Sequence, residues 1–142
     1  MRKVYHILER KGSNVTTVAP SETVINALRI MANQNIGSVA VMENNRFLGI
    51  MTERDYSRKV ILKGRSSTDT TVGEIMSSEF PSVKDSDTIE YCMELMSDRN
   101  LRYLPVMEGS RLAGIISIND VVKETILTHE ETISHLQSYI NS

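Results

Sequence analysis

The chain repeats itself. Shifted by 65 positions, residues 15–55 align with residues 80–120 without a gap. Identical pairs include Val18/Val83, Ser21/Ser86, Thr23/Thr88, Met31/Met96, Asn35/Asn100, Val41/Val106, Gly49/Gly114, Ile50/Ile115 and Asp55/Asp120. A gapless internal match of this length means two copies of one supersecondary unit. One copy is too short to bury a good core alone, so two units are expected to pack face to face and share one.

Each copy reads as βαββα. A short extended piece comes first, at 15–18 and 82–83. Ser21 and Ser86 then precede an acidic residue and an apolar-periodic run, which marks them as N-cap candidates: a serine hydroxyl can accept from the orphan amides of a first helical turn. Val24, Ala27, Leu28 and Met31 follow at helical spacing, as do Ile89, Cys92, Met93 and Met96. Asn35 and Asn100 sit where these helices should stop. Strands are predicted over Ser38–Glu43 and Tyr103–Glu108. Asn44-Asn45 and Gly109-Ser110 turn them back into partners at 47–51 and 112–116. The runs are apolar throughout, which suits burial on both faces. Second helices are expected at 53–62 and 118–128. Residues 63–71 are small and polar and read as a linker, and 72–76 as a short amphipathic turn.

Bulk composition narrows the function classes. The net charge of −2 lacks the basic excess of a nucleic-acid binder, so no nucleic-acid partner is expected. Cys92 is the only cysteine, which excludes an internal disulfide and a cysteine-rich zinc site. The start of the chain lacks a signal-peptide core, and no apolar run approaches the roughly 18 residues of a membrane span, so no membrane partner is expected and cytoplasmic residence is. Walker-type and dinucleotide-binding glycine motifs are absent, and His129 and His135 are too far apart for one-turn metal ligation. Neither an enzyme nor a metal site is expected. Cys92 lies on the apolar stripe of its helix and reads as a packed thiol, and the eight methionines as adaptable core filler.

The chemistry is concentrated at the end of each copy. Gly49-Ile50-Met51-Thr52-Glu53-Arg54-Asp55 is matched by Gly114-Ile115-Ile116-Ser117-Ile118-Asn119-Asp120. The hydroxyl residue ends a strand and opens a helix, where free amides and the helix dipole favour an anion. The aspartate lies one turn in and can accept two hydrogen bonds from a diol such as ribose. Thr52 and Ser117 can instead be plain N-caps, with Asp55 and Asp120 as first-turn acids. The recurrence of the motif at the same place in both copies favours ligand binding, and the two roles are compatible.

On these motifs, together with Arg102-Tyr103-Leu104-Pro105-Val106 and Ile75-Met76, the chain resembles a pair of CBS domains, the cystathionine-β-synthase-type repeats that form a Bateman module. The resemblance covers roughly residues 10–127. It implies an α+β fold of two pseudo-symmetric βαββα repeats packed through their sheets, with residues 1–68 as the first repeat and 69–142 as the second. It also implies a non-catalytic sensor that binds AMP, ADP, ATP or NAD(H) in a cleft between the repeats. The first site would use Thr52, Arg54, Asp55 and Arg58, with Ile36, Gly37 and Ser38 on its wall and Met76 over the base. The second would use Ser117, Asn119 and Asp120, with Arg102, Tyr103 and Pro105 opposite, and Lys11, Gly12 and Ser13 from the N-terminal segment. Arg58 and Lys59 read equally as a solvated helix face and Lys11 as a surface lysine; Tyr103 reads as core or base-stacking, and for Arg102 a phosphate role is favoured over a carboxylate partner. Such modules form disk-like homodimers through their helices, and Ile126, Leu127, Ile133, Leu136 and Ile140 supply an apolar helix face for that or for an unknown regulated protein. A ligand-independent scaffold is the alternative function, and a nucleotide-processing enzyme a more remote one.

Overall fold

The computed structural model describes residues 2–141, and within the last helix the side chains of 132, 135, 136 and 139–141 are outside the description. The expectations for Leu136 and Ile140 therefore lie outside the described residues. In chain order the elements are α1 (Val4–Lys11), β1 (Thr17–Val18), α2 (Val24–Gln34), β2 (Ser38–Glu43), β3 (Arg46–Thr52), α3 (Glu53–Tyr56) running into a π-turn (Ser57–Ile61), α4 (Val72–Ile75), α5 (Ile89–Arg99), β4 (Tyr103–Glu108), β5 (Arg111–Ser117) and α6 (Ile118–Asn141).

These elements form two compact units. The first is Asn14–Phe80, and the second joins the segment ending at Ser13 to the chain from Pro81 onward. The boundaries 1–68 and 69–142 divide the chain by sequence order; contacts place α1 with the second repeat and α4 with the first. Each unit encloses a core cluster of its own. Helix α1 adds Val4 and Ile7 to a cluster containing Ile89, Met96, Leu104 and Ile116. Helix α4 adds Val72 and Ile75 to a cluster containing Val24, Met31, Val39 and Met51. The borrowed helix supplies the apolar area that a single repeat lacks.

The hairpins follow the sequence pattern. In the first unit β1 pairs in parallel with β2, and β2 antiparallel with β3; in the second unit β4 pairs antiparallel with β5. Glu43 opposes Arg46 and Glu108 opposes Arg111, so each loop has two residues. Asn44 and Asn45 both have positive φ, as the mirror-image hairpin turn requires; at Gly109 the glycine takes it. Both hairpins shift register at the same place, after Val41 and after Val106.

Asn35 and Asn100 close α2 and α5 in the left-handed conformation, at φ 54 in each case. The N-caps differ from expectation. Thr23 and Thr88 accept from the amides of Asn26 and Tyr91, whereas Ser21 and Ser86 are exposed two residues earlier. The linker is also not a free loop. The carbonyls of Ser67 and Thr70 accept from the amides of Ile25 and Val24, satisfying first-turn donors of α2 that have no helical partner.

Candidate functional site

The first corner is built where β3 runs into α3. Ser38 opposes Thr52 in the β2–β3 ladder, and the Gly37 carbonyl accepts from the Glu53 amide at 3.2 Å. Thr52 caps α3: its Oγ1 accepts from the Asp55 amide at 3.0 Å, and Asp55 Oδ2 accepts from the Thr52 amide at 2.9 Å and from its hydroxyl at 3.0 Å. Asp55 is buried, at 7% exposure, so its charge has to be met inside the protein. Two groups meet it at Oδ1. Ser77 Oγ donates at 2.9 Å, and Lys59 Nζ lies 3.1 Å away. Lys59 also donates to the Ile75 carbonyl at 2.8 Å and to Ser77 Oγ at 3.4 Å.

Ser77 reaches Asp55 because its backbone pairs with β3. Its amide donates to the Ile50 carbonyl and its carbonyl accepts from the Ile50 amide, both at 2.9 Å. This close approach explains Gly49, where a Cβ would stand 2.5 Å from the Ser77 carbonyl oxygen. Met76 Sδ lies against the same glycine.

The second corner is a partial copy. Tyr103 opposes Ser117, and the Arg102 carbonyl accepts from the Ile118 amide at 2.8 Å. Ser117 Oγ accepts from the Asp120 amide at 3.1 Å, and Asp120 Oδ2 accepts from the Ser117 amide at 2.8 Å. The cation comes from elsewhere: Lys11, the last residue of α1, donates to Asp120 Oδ2 at 2.8 Å and to the Ile115 carbonyl at 3.0 Å. Burial works to raise the Asp120 pKa, but the Lys11 hydrogen bond and charge and the Ser117 contacts outweigh it, and the carboxyl is held below its ordinary value. Four positions further along α6, Glu124 is fully buried and ion-paired with Arg10 and with Arg2, the latter at 3.6 Å.

A family model for the CBS domain matches residues 6–61 and again residues 72–126. The chain belongs to the CBS-domain family. The mitochondrial CBS domain-containing protein CBSX3 of Arabidopsis thaliana is 38% identical over 124 residues, 84% of this chain; the match spans 60% of that relative's own length. A protein with CBS domains from Burkholderia ambifaria MC40-6 superposes with a TM-score of 0.85 at 41% identity, covering 89% of this chain and 95% of that one. The CBS domain pair of MJ0100, solved in complex with 5′-methylthioadenosine and S-adenosyl-L-methionine, shares the fold at a TM-score of 0.77 and 21% identity, covering 87% of this chain and 99% of that one.

Within this CBS pair the structure brings Gly37, Ser38, Thr52, Asp55 and Met76 together at one corner, and Lys11, Arg102, Tyr103, Ser117 and Asp120 at the other. Arg54 and Ile36 are half-buried, and Ile36 packs on the first core. Arg58, Asn119, Gly12 and Ser13 are exposed and Arg102 carries an exposed side chain. Pro105 is buried within β4, its carbonyl accepting from the Val83 amide. Sequence reasoning missed Ser77, although Met76 beside it was a pointer. Lys59, which read equally as solvated surface, is an Asp55 partner. Burial pushes the Cys92 thiol up to about 12, with the Asp87 and Glu90 charges adding to the effect, as fits a packed thiol. Among the described residues no group of three or more His, Cys, Asp or Glu side chains can hold a metal, and no helix is long and apolar enough to cross a membrane.

Proposed function

We propose that this CBS pair is a non-catalytic regulatory module that binds an adenine nucleotide (AMP, ADP, ATP or NAD(H)) at the Asp55 and Asp120 corners. The observation that carries the reading is that each corner sets a backbone-anchored carboxylate beside a lysine ammonium, 3.1 Å away at Asp55 and 2.8 Å at Asp120. A carboxylate suits a ribose diol, and a neighbouring cation suits the phosphate that follows it. The MJ0100 complex supports the idea that this fold can hold adenosyl compounds; the assignment here rests on the chain's own residues. A ligand can act only through differential affinity for two arrangements of the protein, so signalling is a population shift.

Calorimetric titration with AMP, ATP, NADH and S-adenosylmethionine, repeated on Asp55→Ala and Asp120→Ala, tests the reading. Binding that each substitution diminishes is expected. No heat with any of the four sinks it, and consumption of a bound nucleotide would make the protein an enzyme instead.

One observation favours a scaffold role. Ile61, Leu62, Ile126 and Ile133 are exposed large apolar side chains on the helical segments that follow the two corners or, for Leu62, at the end of one. A homodimer through these helices accommodates both readings, and light scattering that finds only a 16.0 kDa species argues against it. Cytoplasmic residence belongs to the same reading and is checked by the fluorescence of a tagged chain.

A further inference from the structure

The Asp55 corner is a closed network. The carboxylate accepts from the Thr52 amide, the Thr52 hydroxyl and the Ser77 hydroxyl, and also faces the Lys59 ammonium. That matches the roughly four acceptor positions of a carboxylate. The three donors of Lys59 are likewise matched by Asp55, the Ile75 carbonyl and Ser77 Oγ. A diol that hydrogen-bonds Asp55 at Oδ1 must take the positions of Ser77 and Lys59. Ser77 is a neutral hydroxyl and can turn to a new partner. Lys59, with a side chain 42% exposed, loses its counter-charge to water unless the ligand brings another anion.

We infer that Lys59 is a selectivity latch: the Asp55 corner favours a ribose whose own molecule carries a phosphate to receive the displaced ammonium. The inference deepens the nucleotide reading and rests on it. An uncharged nucleoside offers the diol but leaves Lys59 without a counter-charge, with the Ile75 carbonyl and water as its partners. A nucleoside monophosphate offers both, and exchanges one ion pair for another. The second corner lacks this closure, because Lys11 and the Ser117 amide both sit on Oδ2 of Asp120. Selectivity at the first corner is therefore expected to be the stricter.

The test is calorimetric titration of the full chain with adenosine and with AMP, the Asp55 site being the component that Asp55→Ala abolishes. In the unsubstituted protein AMP binds that site more tightly than adenosine. Lys59→Met frees one position at Oδ1 and removes the cation, so adenosine affinity rises, AMP affinity falls, and the AMP-over-adenosine preference drops by about fivefold, the scale of an ion pair open to water. Lys59→Arg keeps the cation and retains the preference. Ser77→Ala opens an acceptor position on Asp55 and keeps the Lys59 cation, so both affinities rise. An unchanged preference in Lys59→Met, or no gain for either compound in Ser77→Ala, overturns the latch while leaving the nucleotide site intact. If no binding component depends on Asp55, the nucleotide reading of this corner fails, and the latch with it.

Discussion

Replacing Gly49 with alanine separates two ways a glycine can be required. A Cβ there would stand 2.5 Å from the Ser77 carbonyl oxygen and 3.3 Å from Met76 Sδ. The carbonyl belongs to backbone bonded reciprocally to Ile50, so it cannot swing aside as a side chain would. Room is made only if the Met76-Ser77 segment leaves β3. That gives up two backbone hydrogen bonds at about 0.5–1.5 kcal/mol each. Residual overpacking adds about 1–3 kcal/mol, and the stiffer unfolded chain returns about 0.4–1 kcal/mol. The expected net loss is about 2–4 kcal/mol. At Gly114 the obstacle is Leu8 Cδ2 at 2.8 Å, the end of a rotatable side chain. Gly114→Ala should therefore cost about 1 kcal/mol or less. Urea unfolding followed by far-UV circular dichroism gives both values from the midpoint shifts at unchanged slope. Equal losses at the two positions would refute the claim that backbone approach, rather than general crowding, fixes Gly49.

The caps provide a second check: Thr23→Ala and Thr88→Ala should each cost about 1 kcal/mol in the same unfolding assay, while Ser21→Ala and Ser86→Ala stay within about 0.5 kcal/mol; the reverse order would put the caps at the serines. Asp120 provides a third. Its folded-state pKa lies below the ordinary 3.8, so the stability it contributes is fully present above that value and is lost as pH falls through the lower folded value. Lys11→Met removes the main opposition to burial, so a carboxyl-carbon NMR titration should show the Asp120 pKa moving up; an unmoved titration would mean that Lys11 does not hold the carboxylate in solution.

Much of each unit was legible because its signals are local. The apolar runs, the Asn-Asn and Gly-Ser turns and the stop signals at Asn35 and Asn100 each act within a few residues, and the strands and helix ends follow them. What was missed depends on contacts distant in sequence. Helix α1 carries Val4, Ile7 and Leu8 at the i, i+3, i+4 spacing of Val72, Ile75 and Met76, but the short pattern gains its meaning only from the core it joins. Choosing Thr23 over Ser21 depends on where the backbone turns helical, and the Thr70 carbonyl bound to the Val24 amide helps to fix that point. Ser77 reaches Asp55 across 22 positions, through an isolated bridge to β3 that no periodicity announces.

The inequality of the two corners follows from the length of the helix each unit borrows. Helices α1 and α4 begin alike: the Val4 amide donates to Asp87, and the Val72 amide donates to Glu22, the residue that matches Asp87 at the 65-residue offset. Leu8 and Met76 then lie against Gly114 and Gly49 respectively. Beyond that point they diverge. Helix α4 ends at Ile75, and the chain extends to place the Ser77 hydroxyl on Asp55; the cation has to come from the corner's own helix, as Lys59. Helix α1 continues to Lys11, which delivers the cation directly to Asp120. A lysine at the position matching Lys59 is then unnecessary, and Glu124 stands there instead, buried and paired with Arg2 and Arg10. A buried carboxylate is tolerable only with such partners. One added turn of helix has thus moved the lysine from one element to another and turned the vacated position into a charged tie between α1 and α6.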